Sequence, residues 1–377
     1  MITSLNHPAD WGFYGHRLIN EMAVYTLPPE LQVIFKPEIQ YITEHAVDAD
    51  KRRYAVPSEG FHHYIDLDHY GEMPYSTLPR RWDSAVIKYS QIIWVLTPGD
   101  TIRIKGRERN DGEYESFIRK YILPRIYSGD LAVHCDTFRI HFGLFEDFPC
   151  QKIIVVDSLS CMGDLPYHLI HTHSKLTNAF KAKDLEKIIR ISADLGHYIA
   201  DAHVPLHTTS NYDGQLTGQQ GIHAFWESRL PELFADREYD FFVGKAAYIQ
   251  NVPDFFWDVV LNSHLLVKDV LAAEARVRKS YPAAYQFCFE DRLNQTVRTP
   301  CSGFARAFHQ ELRGMVEKQM RRAIKAVADC WYTAWVEAGQ PDFSNVPLDK
   351  RFSLPDQTDM SGSEGVIRKG NRVRAHE

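Results

Sequence analysis

The chain has 377 residues, of which 44% are hydrophobic and 24% are charged, so it can form one large folded domain or two smaller ones. No apolar run approaches the ~20 residues that a membrane-spanning helix needs. The formal net charge of −6 argues against a broad basic groove along a nucleic-acid backbone. It leaves a small phosphate-containing substrate open, because bound metal ions would add positive charge that this count omits.

Hydrophobic spacing predicts several helices in the first hundred residues. The segment HRLINEMAVYTL has the pattern of an amphipathic helix, and the two prolines that follow it, Pro28 and Pro29, end that helix. Residues 48–71 are expected to form a loop. The predicted helices in this part are residues 16–27, 37–46 and 81–95.

The character of the sequence changes between Thr97 and Gly163. The segments TIRIKG, TFRIHF and KIIVVDSL are rich in β-branched and aromatic residues, and in the first two these alternate with polar residues. This pattern predicts a mainly β insertion at about residues 98–163. We expect the insertion to lie at the periphery of a helical protein.

Helical spacing returns after Leu169. Beyond Pro341 apolar residues become sparse, so residues 342–377 are expected to form a disordered tail. Residues 1–10 form a leader whose status the sequence leaves open. The fold class is therefore mainly α, with one domain over residues 11–341 that contains the β insertion. The predicted C-terminal helices are residues 170–182, 184–203, 222–234, 253–275 and 303–339.

The cysteines and the opening residues bear on the type of site and on location. The six cysteines are widely spaced and none forms a C-x-x-C pair, so a cysteine zinc ribbon is not expected. Their even number permits disulfides, and Cys288–Cys301 is the expected bridge because these two lie close in sequence. The opening MITSLNHPAD has neither the basic start nor the apolar core of a signal peptide.

Two pairs of metal-binding side chains with helical spacing lie close together in the sequence. His197 and Asp201 are four residues apart, and so are His223 and Glu227, so each pair projects from one face of a helix. Such residues are often only core or surface contacts. Here, however, the run DLGHYIADAHVPLH is largely apolar or small, and a buried charge is costly unless it is paired or coordinates a metal. With His207 between the pairs, the pattern predicts a multi-zinc centre.

Further candidate ligands precede these pairs. Trp11 lies five residues before His16, DADKRR contains Asp50 and Arg53, and HHYIDLD contains His63. The order W-x4-H, A-D-x-x-R, H-Y-I-D, H-x3-D-x5-H and H-x3-E resembles that of the superfamily of zinc-dependent phospholipase C and the single-strand-specific nucleases (3′-nucleotidases). The resemblance implies a phospholipase C/nuclease-like helical bundle and an exported protein, periplasmic or secreted.

The resemblance also implies a set of ligands for up to three zinc ions in one cleft. The first ion would be held by Asp50, His63, His197 and Asp201. Asp201 would bridge to the second ion, which would also bind His16 and the amino and carbonyl groups of Trp11. The third ion would be held by His207, His223 and Glu227. His203 is the expected outer partner of these ligands.

Two of these assignments have a neighbour as an alternative. Asp50 fits the A-D-x-x-R pattern, whereas Asp48 fits the usual distance to the following histidine slightly better; Asp50 is preferred. His62 competes with His63, and the Y-I-D that follows favours His63.

The resemblance gives substrate-binding roles to two further residues. Arg53 matches a phosphate-contacting arginine of the nucleases, and its guanidinium suits bidentate contact with phosphate. The alternative is a solvated charge in the run Lys51–Arg53. Tyr64 matches an aromatic residue that stacks on a base, although a packing role is the more common one for such a side chain. Asp50 would also orient the attacking water.

These residues imply a zinc-dependent hydrolase of phosphodiester bonds, in which zinc activates water near neutral pH and neutralises phosphate oxygens. Glu227 as the last carboxylate and the short gap from His207 to His223 favour phospholipase C-like activity on a lipid head group. The short gap from Trp11 to His16 favours a single-strand nuclease or 3′-nucleotidase. From another class, the alternative is a catalytically silent metal-binding or interaction protein on the same scaffold.

Trp11 departs from the pattern of the superfamily, because ten residues precede it here. A tryptophan inside a chain keeps its carbonyl but offers no free amine, so the leader should weaken the zinc shared by His16 and Asp201. Protein that begins at Trp11 is expected to bind about one more zinc ion and to hydrolyse phosphodiesters faster. Equal zinc content and equal rates for the two forms would exclude the amine as a ligand.

Overall fold

The structure, a computed structural model, describes residues 13–56, 58–96, 101–105, 112–128, 131–143, 150–292 and 295–344. Its α-helices are α1 (Phe13–Thr26), α2 (Pro29–Phe35), α3 (Ile39–Glu44), α4 (Asp48–Arg52), α5 (Trp82–Tyr89), α6 (Gly112–Phe117), α7 (Cys135–Phe142), α8 (Leu165–Ala182), α9 (Leu185–Ala202), α10 (Ile222–Ala224), α11 (Leu230–Glu238), α12 (Val252–His264), α13 (Val267–Ser280), α14 (Ser302–Glu311) and α15 (Met315–Glu337). Its strands are β1 (Ser90–Val95), β2 (Thr101–Lys105), β3 (Ala132–Val133), β4 (Lys152–Asp157), β5 (Phe287–Arg292) and β6 (Gln295–Pro300). The prediction of a mainly α-helical fold is confirmed. Trp11, the rest of the leader and the predicted tail from residue 345 lie outside the described residues.

Helix α15 supports the helical part of the molecule, because it packs along α1, α8 and α9. Its buried residues recur every three or four positions, as a core-facing helix requires; among them are Val316, Met320, Ala323, Val327 and Trp331. None of the helices in the described ranges combines the length and apolar character that crossing a bilayer needs.

Helices α8 and α9 are joined by a short link that the local sequence explains. Lys183 adopts the left-handed conformation with φ of 53° and ends α8. The side chain of Asp184 then accepts a hydrogen bond from Lys187 N at 3.2 Å and so caps the start of α9. This link fixes where α9 begins, and α9 carries His197 and Asp201.

The main sheet is antiparallel with the strand order β2–β1–β4–β3. In its register Ile92 lies opposite Ile104 on β2 and Val155 on β4. Side chains of β1 alternate between buried and half-buried positions, so one face of that strand lies on the core. Strands β2, β3 and β4 fall within the predicted insertion, whereas β1 precedes it.

Several predicted elements are wrong, and the reasons are local. The helix predicted for residues 81–95 ends at Tyr89, and the β-branched run SQIIWV that follows forms β1. TFRIHF, predicted as β, lies in helix α7, which His134 caps at its start and Gly143 ends in the left-handed conformation. The loop predicted at residues 48–71 contains α4, which has acidic residues in its first turn.

Two of the predicted C-terminal helices are each divided into two helices in the structure. The helix predicted for residues 253–275 is divided into α12 and α13, and the one predicted for residues 303–339 is divided at Gly314, whose φ of 77° suits glycine. The β5–β6 hairpin was not predicted. Its ends are linked by Cys288–Cys301, so the predicted disulfide is confirmed, and a second disulfide joins Cys135 and Cys150.

The close approach of α1 to α9 depends on a residue without a side chain. A Cβ atom at Gly196 would lie 1.9 Å from Asn20 Oδ1. Asn20 is fully buried, and its Nδ2 donates to Ala193 O at 3.1 Å and to Ile42 O at 3.4 Å. These hydrogen bonds hold the amide in place, so it cannot move aside without leaving buried polar groups unsatisfied.

We therefore expect Gly196→Ala to lower the free energy of unfolding by roughly 1–3 kcal/mol, as overpacking in a core does. The measurement is chemical denaturation at constant metal concentration. Gly112→Ala is the matched control, because a Cβ atom there meets nothing within 4 Å and the residue also lies in a helix. Equal stability of the two variants would show that α1 and α9 have room to separate.

Candidate metal centre

Six short stretches of the chain bring the described candidate ligands together. Of these, α1 carries His16, α4 carries Asp50, and α9 carries His197 and Asp201. The 3₁₀ turns Glu59–His63 and Pro205–Thr208 carry His63 and His207, and the helix that begins at Ile222 carries His223 and Glu227. All of the histidines are at most 5% exposed. The carboxylates of Asp50 and Glu227, at 16% and 14%, are the most exposed of the described ligand side chains and mark the open side of the site.

The first group of ligand atoms consists of Asp50, His63, His197 and Asp201. His197 Nε2 lies 3.0 Å from His63 Nδ1 and 3.3 Å from Asp201 Oδ2. Asp50 Oδ1 lies 3.7 Å from His63 Nδ1 and 3.8 Å from His197 Nε2. Ligands at ~2.0–2.1 Å from a tetrahedral zinc are separated by about 3.3–3.4 Å, so these atoms have the spacing that such an ion needs.

The second group is formed around His16, with Asp201 and His197. His16 Nε2 lies 3.6 Å from Asp201 Oδ1, whereas Asp201 Oδ2 faces the first group. One carboxylate therefore faces both groups with its two oxygens. The imidazoles of His16 and His197 stack with ring centroids 4.1 Å apart, so the two groups are adjacent.

The third group consists of His207, His223 and Glu227. Glu227 Oε2 lies 3.2 Å from His207 Nε2 and 2.8 Å from His223 Nε2, and Glu227 Oε1 lies 3.2 Å from His16 Nε2. The segment Phe225–Arg229 is π-helical, a local widening of the helix that is frequent at functional sites. His223 and Glu227 still face the same side, and Glu227 links this group to His16.

Backbone carbonyls orient two of the imidazoles. His197 Nδ1 donates to Ala46 O at 2.8 Å, and His207 Nδ1 donates to His63 O at 2.5 Å. With Nδ1 as the donor, Nε2 of each ring is directed at the carboxylates of the site and is available as a metal ligand. The fold therefore sets the orientation of these ligands in advance.

The charges of the site are strongly coupled. Burial alone would raise the pKa of Asp50, but the neighbouring His197 and His63 outweigh it and lower that pKa. Burial would lower the pKa of His197, but Asp201 and Asp50 raise it to about 9. In the same way, Asp201 and Glu227 overcome burial and raise the pKa of His207 to about 9. The negative charge of the carboxylates thus favours positive charge at the Nε2 positions of these imidazoles.

The structure distinguishes between the neighbouring residues that the sequence offered as alternative ligands, Asp50 or Asp48 and His63 or His62. Asp48 points away from the first group and pairs with His45 at 2.5 Å and with Lys51 at 3.2 Å. His62 pairs with Asp164 at 2.8 Å and stacks on His168. Asp50 and His63 are therefore the members of each pair that lie among the candidate ligand atoms.

Arg53 lies beside the first group. Its side chain is 8% exposed, and its Nε is 3.6 Å from Asp50 Oδ1. Its Nη1 is buried and has no hydrogen-bond partner in the described part of the protein. A guanidinium with a buried donor that has no partner among the described residues is not a solvated surface charge.

Tyr64 is 2% exposed, and its hydroxyl donates to Cys161 O at 3.3 Å. Its ring packs so closely that a Cβ atom at Gly163 would lie 2.6 Å from Tyr64 Cδ2. This burial supports a packing role, because stacking on a base would require the surrounding backbone to move.

A charged network behind the ligands was missed from the sequence. Arg52 lies 3.0 Å from Asp194 and 3.3 Å from Glu59, and the Tyr198 hydroxyl donates to Glu59. The Tyr198 ring in turn makes T-shaped contacts with the rings of His63 and His197. Asp194 lies three residues before His197 and Glu59 four before His63, a spacing that would have indicated supporting residues.

His203, the expected outer partner, donates from Nδ1 to Ile199 O at 2.7 Å.

No protein-family model matches this chain, and no curated protein is significantly similar to it in sequence. The case for the site therefore rests on its own geometry. Within the described residues, three buried groups of histidine and carboxylate side chains can hold metal ions.

The choice between Asp50 and Asp48 gives a matched test of this geometry. We expect Asp50→Asn to lose about one equivalent of bound divalent metal per chain, because the neutral amide is a much weaker ligand. Asp48→Asn should retain full metal content, since Asp48 contacts His45 and Lys51 instead. The measurement is elemental analysis of protein equilibrated with zinc, with circular dichroism as the check on folding. Equal losses in both variants would contradict the assignment.

The shared carboxylate of Asp201 predicts a larger effect. Because its two oxygens face the first and second groups, Asp201→Asn should lose about two metal equivalents, more than Asp50→Asn does. The same elemental analysis decides this. A loss no greater than that of Asp50→Asn would show that Asp201 belongs to a single group.

Proposed function

We propose that this protein is a zinc-dependent hydrolase of phosphodiester bonds with phospholipase C-like activity. The observation that carries the proposal is the set of three adjacent, buried ligand groups connected through Asp201 and Glu227. A structural metal site needs one closed set of ligands, whereas adjacent ions linked by carboxylates are typical of enzymes that act on phosphate esters.

Zinc is the metal that the donor atoms favour. The groups combine imidazole nitrogens with carboxylate oxygens, which suit zinc better than calcium or magnesium. His16 would bind the second ion together with Asp201 and, as the resemblance implies, with Trp11. When bound, zinc would supply a water activated near neutral pH and positive charge for the phosphate oxygens.

The residues of the chain have distinct roles in this proposal. Asp50, on the open side, would orient water with its carboxylate while contributing negative charge to the first group. Arg53 would hold a phosphate oxygen with the buried Nη1 donor and so position the phosphorus next to the ligand groups. Asp201 and Glu227 would keep clustered cations close together by offsetting their mutual repulsion.

The substrate is proposed to be a small phosphodiester such as a phospholipid head group. The burial of Tyr64 supports this choice over single-stranded nucleic acid or a 3′-nucleotide, because the aromatic residue expected to stack on a base is occupied in packing. The net charge of −6 favours the same choice. The two disulfides support a location in an oxidising compartment, periplasmic or secreted.

The proposal is tested with zinc-loaded protein on a panel of phosphodiesters. We expect hydrolysis of a phosphocholine diester and of phospholipid in liposomes, little digestion of single-stranded DNA, and loss of activity with a chelator. His197→Ala should lose zinc and activity together, since its Nε2 lies in the first group. Preferred digestion of DNA would identify the nuclease alternative. Full zinc content without turnover of any phosphodiester would identify the catalytically silent, metal-binding alternative.

Arg53 provides a separate test of phosphate contact. Arg53→Lys should lower kcat/KM by about tenfold or more, because lysine keeps the charge but loses the planar pair of donors, while zinc content stays unchanged. Lys51→Gln is the control from the same basic run, because its ammonium group is exposed and pairs only with Asp48 in the described residues. Similar kinetics for Arg53→Lys and Lys51→Gln would exclude a phosphate contact by Arg53.

A further inference from the structure

A large cleft lies between α12 and α15. Its volume is about 760 Å³, within the range of roughly 300–1,000 Å³ that is typical of ligand-binding pockets. One wall is α15, and the other is α12 with the Leu265–Leu266 turn that follows it. Val243 contributes from the irregular segment before α12.

The α15 wall is strongly basic. Lys318, Arg321, Arg322 and Lys325 all line the cleft at positions i, i+3, i+4 and i+7, so they lie on one face of the helix. Arg321 pairs with Asp240, and Lys325 pairs with Asp329, the one carboxylate among the lining residues. Lys318 and Arg322 have no carboxylate partner in the described ranges. The wall therefore keeps positive charge that its own surroundings do not neutralise.

The opposite wall is mainly apolar, with Asn262 and Ser263 as its polar lining residues. Phe255 and Val259 are half-buried on α12 and face the cleft, together with Leu266. Leu265 is 58% exposed and extends this surface to the rim. A mainly apolar wall that faces the two cations without a carboxylate partner suits neither a purely hydrophilic anion nor a neutral hydrocarbon.

We propose that this cleft binds an anionic amphiphile that has one hydrocarbon chain. The chain would lie on Phe255, Val259 and Leu266, and the anionic head group would contact Arg322 and Lys318. Arginine can contact a carboxylate or phosphate through two nitrogens at once, which fixes the orientation of the head group. The charge and the apolar surface thus match two parts of the same molecule.

The inner end of the cleft is lined by Gln319 and His203, which also line a small cavity beside His16 and Glu227. Gln319 Nε2 donates to His203 O at 2.7 Å and to Ser263 Oγ at 3.2 Å, and Gln319 Oε1 accepts from Arg322 Nη1 at 2.9 Å. This buried glutamine joins α15 to the end of α9 and to α12. The existence of the cleft does not rest on the proposed hydrolysis.

The test is calorimetric titration of the full, zinc-loaded chain with monomeric dodecyl phosphate. We expect about one molecule bound per chain, and affinity at least about tenfold lower in the double variant Lys318→Gln/Arg322→Gln, which removes two charge-assisted contacts. Leu265→Ser should also weaken binding, while Lys181→Gln, an exposed lysine on α8, should not. Both Lys318 and Arg322 are exposed, so the double variant is expected to fold.

Four further probes make the result specific. Inorganic phosphate and dodecyl maltoside should both bind much more weakly than dodecyl phosphate, and equal binding of either would overturn the proposal. Asp201→Asn should keep dodecyl phosphate binding, whereas loss of binding there would assign the ligand to the metal centre. Association with vesicles of anionic phospholipid in the absence of monomer binding would show a membrane-docking surface instead and would also overturn it.

Discussion

The structure depends on the neutralisation of three carboxylates, Asp50, Asp201 and Glu227, among buried histidines. A buried carboxylate without a partner would cost several kcal/mol, so each of these oxygens must face a proton or a cation. The raised pKa values of His197 and His207 show how strongly the site attracts positive charge. Metal ions satisfy the same requirement with more charge per ligand, and their binding energy would then contribute to the stability of the fold.

The same contacts that pack the helices also place the ligands. Helix α1 approaches α9 at Gly196 and Asn20, one residue from His197, and the Ala46 carbonyl that orients His197 follows α3. A shift of any of these helices would therefore change ligand distances as well as packing. Because the ligands come from six separate stretches, the site forms only when the tertiary structure is complete.

Much of the site could be predicted from the sequence, because side chains four residues apart on a helix lie on the same face. His197 with Asp201 and His223 with Glu227 both have this spacing. The A-D-x-x-R pattern already favoured Asp50 over Asp48, and the pairing of Asp48 with His45 supports that preference. The prediction of helices and strands was wrong where the local sequence pattern was ambiguous. SQIIWV suits a strand or a buried helix equally until β4 lies beside it, and TFRIHF became helical because His134 and Gly143 define its ends.

Helix α15 borders both the candidate metal centre and the cleft. One face packs on α1, α8 and α9 and so supports the ligand groups, while Lys318, Arg322 and their neighbours form the basic wall of the cleft. Gln319 lies between these faces and is held by buried hydrogen bonds on both sides. Displacing it would leave the His203 carbonyl unsatisfied, which opposes movement of the end of α9.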